Sequence, residues 1–247
     1  MRIRRLVLLA IVLASAVAST ACGGTSLFRQ YEYEEELYVS LDGSATVYVN
    51  TSVAALDALR GTTLSTSPAA RVNRDAVRAF YASPVTSVTW VRESRRQGRR
   101  FVHVRLDVDD ITRLSGAAPF AWSSYAFRRE GEEFVYQQTV GASAARAVGE
   151  AGWNGRELVA FRLHLPSKIN FHNTGTDVRR GNILVWEQPL ADRLHGAPLE
   201  LDARMQTQSI LFRTLWLFGV TFVTVVVAFV AVIWWVLRRG PRHAETV

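Results

Sequence analysis

The feature that most constrains this chain is a run of 24 uncharged residues, Thr214 to Leu237, bounded by Arg213 before it and Arg238-Arg239-Gly240-Pro241-Arg242-His243 after it. At 1.5 Å per helical residue the run measures about 36 Å, more than the ~30 Å of hydrocarbon in a bilayer. Its only hydroxyl side chains are Thr214, Thr221 and Thr224, and Trp216, Trp234 and Trp235 stand near its ends, where indoles favour the interface. A buried helix of a soluble protein would carry polar positions at some spacing. Residues 212–237 therefore read as a single transmembrane helix. More arginine follows the span than precedes it, which predicts a cytoplasmic tail over 238–247 and a main domain on the extracytoplasmic (periplasmic) side of the cell membrane.

The other end points the same way. Arg2, Arg4 and Arg5 precede an apolar run from Leu6 to about Ala18, and small residues lead up to Cys22. That run, about 13 residues, is too short to span and reads as the core of an export signal over 1–21. Cys22, the lone cysteine, follows Ser19-Thr20-Ala21 in the manner of a lipobox, although Ser19 stands where leucine is usual and cleavage after Ala18 is an alternative. Lipidation at Cys22 is expected, with residues 22–30 as a tether. The net charge of +7 belongs mostly to the two termini, so it gives no reason to expect a nucleic-acid partner.

Between the anchors, residues 31–208 are enough for one extracytoplasmic domain. Tyr31, Tyr33, Leu37, Val39 and Leu41 alternate with Glu32, Glu34, Glu36 and Ser40, and Asp42-Gly43 turns the chain into Ala45 to Val49, a β-hairpin. Asn50 or Thr51 caps a helix that Gly61 stops, and Asn73 to Tyr81 is a second helix. Val85 to Val91 and Phe101 to Val108 are strands around a turn, 92–100, that carries Arg92, Arg95, Arg96, Arg99 and Arg100. Further strands are expected over Ala121 to Arg128, Glu133 to Thr139, Leu158 to Leu165, Ile183 to Trp186 and Leu199 to Met205. The class is α+β, an antiparallel sheet with a few short helices on one face.

The run Leu165-Pro166-Ser167-Lys168-Ile169-Asn170, then Gly181-Asn182-Ile183-Leu184-Val185-Trp186, then the strand Leu199 to Ala203, resembles the LppM-like domain of bacterial envelope lipoproteins. The order of elements and the export signal with Cys22 fit that architecture, while Ser167 stands where glycine is expected. The resemblance implies a membrane-tethered, non-enzymatic α+β domain at the cell envelope, with Pro166, Gly181, Asn182 and Trp186 in structural roles.

No nucleophile motif, zinc motif or phosphate-cradling glycine loop occurs in the sequence. The expectation is no enzyme, no cofactor, no metal site, and a module that binds an envelope lipid, lipoglycan or partner protein. The alternative is an enzyme or enzyme accessory acting on envelope polymers through His103, Arg105 and Asp107, which share a strand face, with Arg162 and His164 on another strand. The arginine turn is expected to touch the lipid surface.

Overall fold

The structure, a computed structural model, describes residues 29–67, 69–175 and 182–239. The export signal, Cys22, most of the tether, Gly181 and the end of the tail lie outside them.

The first hairpin forms as its alternation dictates. Strands β1 (Gln30–Val39) and β2 (Ala45–Ser52) pair antiparallel, and Gly43 supplies the positive φ of the turn. Ser52, rather than Asn50 or Thr51, caps helix α1 (Val53–Arg60), because β2 continues three residues past Val49. Gly61 ends α1 in the left-handed region, its N–H returning to the Asp57 carbonyl. Every residue from Val53 to Leu59 is buried, so α1 is enclosed rather than amphipathic. Helix α2 (Arg74–Tyr81) starts at its Asn73 cap and buries Val77 and Tyr81 beside strand β3 (Thr86–Arg96).

The arginine turn differs from expectation. Strands β3 and β4 (Arg99–Val108) run to a two-residue connection, Gln97-Gly98, both at positive φ, as the tightest hairpins require. The five arginines therefore belong to strands, not to a nine-residue turn. Two 3-10 turns (Ile111–Gly116, capped by Asp110, and Ala118–Phe120) lead to β5 (Ser123–Glu130) and β6 (Glu133–Val140). There follow β7 (Glu157–His164), β8 (Ser167–His172), β9 (Ile183–Pro189), the short helix α3 (Leu190–Leu194), β10 (Leu199–Ser209) and the long apolar helix α4 (Ile210–Arg238).

The strands make two sheets where the pattern suggested one. A six-stranded sheet has the order β3-β4-β2-β1-β7-β9, and a four-stranded sheet the order β5-β6-β10-β8. All pairs are antiparallel except β1 with β7. The α+β class stands. The two sheets face each other across one apolar core that includes Val47, Val104, Leu106, Phe161, Tyr136 and Leu201. Glu35 lies inside it, accepting from the Tyr33 hydroxyl (3.1 Å), the Tyr125 hydroxyl (2.9 Å) and Gln138 Nε2 (3.3 Å), and so ties β1 to β5 and β6.

The register fixes two ends. Thr86, Val108, Ala45, Val39 and His164 gather at one end of the six-stranded sheet; Gln30, Glu157 and the Gln97-Gly98 tip gather at the other. Helix α4 leaves from the first end. Ser209 pairs with Ser167, the Ile210 N–H donates to the Pro166 carbonyl (3.1 Å), and Ser209 Oγ caps the Leu211 N–H (3.2 Å). The helix has a mean hydropathy of 2.7, is unburied by the domain, and is long and apolar enough to cross a membrane.

Candidate functional site: the open face of the six-stranded sheet

The inner face of the six-stranded sheet is covered by the second sheet and by α1. Among the described residues no other element covers its outer face. The pairing sets Trp90, Arg105, Tyr48, Glu36, Arg162 and Val185 side by side across six strands. A parallel row holds Asp107, Thr46, Tyr38, His164 and Ile183. Aromatic rings form a chain over these rows: Trp90 to Tyr48 at 6.1 Å, Tyr48 to Tyr38 at 5.5 Å, and Tyr38 stacked on His164 at 3.9 Å.

The polar groups on this face bond to one another. Glu34 accepts from Arg162 (2.8 Å) and Glu36 meets His164 (2.5 Å). Asp107 accepts from Thr46 (3.0 Å) and Thr89 (3.1 Å), with Arg105 at 3.9 Å. His103 lies between Asn50 Oδ1 (2.8 Å from Nδ1) and Ser94 Oγ (2.7 Å from Nε2). All these partners lie on the six strands themselves.

Their electrostatics follow from half-burial. Burial raises the Glu34 carboxyl despite Arg162, whereas the His164 hydrogen bond holds Glu36 low. Burial, with Arg96 nearby, lowers His103, and burial with the adjacent Glu36 lifts the Tyr38 phenol to about 12. Two clefts flank the aromatic chain. One of about 520 Å³ lies among Tyr38, Thr46, Asp107 and His164; another of about 410 Å³ lies among Tyr31, Arg162, Val185 and Glu187.

The structure thus brings His103, Arg105 and Asp107 onto the same face as Arg162 and His164, separated by β1 and β2. His172 belongs to the second sheet and meets Thr174. Among the described residues no group of three or more His, Cys, Asp or Glu is placed to hold a metal ion. Trp186 is buried, its Nε1 donating to Asn173 Oδ1 (2.8 Å); the Asn182 carbonyl accepts from Leu165 N (2.9 Å), and the Pro166 carbonyl receives α4.

Two residues sit opposite to their expected sides. A bulge between Tyr31 and Tyr33 shifts the β1 alternation, so Tyr31 faces outward toward Glu187 and Arg162, while Glu32 is buried beside Arg99 (3.3 Å) and Trp153 Nε1 (3.2 Å). The arginines also divide. Arg92, Arg95 and Arg96 are exposed, Arg92 and Arg96 lying over the Trp90 and Phe101 rings. Arg99 pairs with Glu32 and Glu157, and Arg100 is only 4% exposed, donating to the Ser65 carbonyl. The hairpin tip lies at the end of the sheet remote from α4, about 33 Å of strand away. The expected lipid-touching turn therefore points away from the place where the apolar helix joins the domain.

No family model matches the chain, and no curated protein does. A solved structure that matches is the NMR structure of the folded domain of the Mycobacterium tuberculosis protein LppM, at TM-score 0.39 and 13% identity, covering 72% of this chain and 92% of that one.

Proposed function

We propose that the protein is a non-enzymatic lipoprotein module held at the outer surface of the cytoplasmic membrane, and that it captures a glycan-bearing envelope ligand, a lipoglycan, on the open face of its six-stranded sheet. The sequence supports the sidedness through the export signal and the arginines after α4, and supports acylation through Cys22. The observation that carries the ligand class is the aromatic chain Trp90-Tyr48-Tyr38 flanked by Arg105, Glu36 and Arg162. Aromatic faces accept the apolar side of a pyranose ring, and neighbouring carboxylates and guanidinium groups answer its hydroxyls. The test is calorimetric titration of the detergent-solubilised full-length protein with purified envelope lipoglycan. Tyr48→Ala and Trp90→Ala should each weaken binding about tenfold with little change in melting temperature. Unchanged affinity in both variants rejects this face.

A second reading rests on one relay. Ser94, His103 and Asn50 stand in the order nucleophile, base and orienting amide, and a neutral His103 suits a base. On that reading the face cleaves an acyl ester. Labelling of Ser94 by a fluorophosphonate, lost in His103→Ala, would favour it over simple capture.

A further inference from the structure

Apart from the open face, a cleft of about 240 Å³ lies where the loop after α1, the start of α2 and the tip of β4 meet. Its lining includes Thr63, Ser65, Arg71, Asn73 and Arg100. Two arginines, Arg71 and Arg100, line it from different elements, and a third, Arg95, is the cross-strand neighbour of Arg100. Arg100 is 96% buried, since only 4% of it is exposed, and is anchored by its bond to the Ser65 carbonyl, while its Nε has no partner. Arg71 comes from the loop and is exposed, and Arg95 stands directly across from Arg100 in the β3–β4 register.

The positive charges are only partly offset, by the buried Asp57 carboxylate that Arg100 stabilises through space. Like charges directly opposite on paired strands destabilise a sheet, and a buried guanidinium is ordinarily paired with a carboxylate. Among the described residues none of Arg71, Arg95 and Arg100 has a carboxylate within ion-pair distance. Asp57 accepts from Thr62 Oγ1 and Leu64 N and feels the Arg100 charge without forming an ion pair with it, and among the described residues Glu93 and Asp75 form no ion pair. A planar carboxylate is served by the fork of one arginine, whereas cations converging from a strand, its neighbour and a loop suit a tetrahedral anion.

We propose that this cleft binds a phosphate group, with Arg100 as its fixed floor and Arg71 and Arg95 closing over it. The site is separate from the aromatic face and does not depend on the lipoglycan reading. The group is either free phosphate or the phosphodiester of an envelope molecule. The experiment titrates full-length protein in detergent with inorganic phosphate and, separately, with glycerophosphoglycerol, at constant ionic strength set by chloride, reading heat and melting temperature. Saturable heat with a rise in melting temperature is expected for at least one of the two, and which one identifies the source. Arg71→Ser and Arg95→Ser, both exposed positions, should each weaken binding about tenfold or more without lowering the melting temperature in chloride. Tyr48→Ala should leave phosphate binding intact, which separates this site from the aromatic face. Absence of saturable binding by either compound, or equal affinity in both arginine variants, overturns the proposal.

Discussion

Arg193 offers a sharp test of how the two sheets are held together. Its side chain is fully buried, and among the described residues no carboxylate pairs with it. Instead Nη1 donates to the Ala197 carbonyl (2.6 Å), Gln188 Oε1 (3.3 Å) and the Val140 carbonyl (3.4 Å), and Nη2 donates to the Gly141 carbonyl. The guanidinium also lies 5.2 Å from the Trp122 ring. One residue of α3 thereby fastens the end of β6 to the β9–α3 segment. Burial and the nearby Arg60 lower its pKa, the direction expected when a charge is taken out of water. A charge-assisted hydrogen bond contributes about 1.5–3 kcal/mol, so the two close bonds, to Ala197 and Gly141, represent roughly 3–6 kcal/mol. Relief of the buried charge offsets part of that. Arg193→Ala should lose about 3–4 kcal/mol, and Arg193→Lys about 2 kcal/mol, because a point-like ammonium cannot serve acceptors on two sides. Urea unfolding of the full-length protein in mild detergent, followed by tryptophan fluorescence, measures both. A loss below about 1 kcal/mol for Arg193→Ala, or an Arg193→Met variant as stable as the parent, would refute the reasoning, since apolar replacement of a buried ionic group is neutral when its partners do not need it.

Burial raises the Glu35 carboxyl above its unfolded value, despite the Tyr125, Arg60, Tyr33 and Gln138 contacts. Stability from this group is then greatest with the carboxyl protonated and declines as pH rises from about 4.3 toward the folded value, so the difference in melting temperature between parent and Glu35→Gln should grow in favour of the variant over that interval. Gly61→Ala, at φ +73° with a new Cβ 3.3 Å from the Ala144 Cβ, should cost about 1–2 kcal/mol by thermal melting. Reporter fusions after Gln208 and after Val247 should report opposite sides of the membrane, and periplasmic-type activity from the second would reverse the topology. Mass analysis of the mature amino terminus should find an acylated Cys22; an unmodified peptide starting at Ser19 or Cys22 counts against it.

Strong local patterns predicted the elements well. Asn73, Gly61 and the turn at Gly43 are placed by cap and turn chemistry that acts within a few residues. The His103, Arg105, Asp107 face with Arg162 and His164 was likewise readable, because alternation assigns sides. What alternation does not carry is partition between sheets. Strand β8 is invisible in its own residues: Ser167 is buried while Phe171 is 47% exposed, the reverse of a hydrophobic-in pattern, and only pairing with β10 defines it. The bulge at Tyr31 reversed two side chains by inserting one residue. The aromatic chain was missed because Tyr38, Tyr48 and Trp90 come from three strands whose order only tertiary pairing decides.

Strand β10 passes into helix α4 at Ser209 with no intervening linker, the first helical N–H groups being held by Pro166 and Ser209 itself. A joint of that kind has no swivel. Where such a helix sits in a bilayer, any axial turn of it carries the sheet along, so the compass direction of the aromatic face is set by which side of the helix meets a neighbour. Inserting a single residue after Ser209 would reset that bearing by about 100°. Where two copies meet through their helices, the angle between their outward faces is thereby determined inside the membrane.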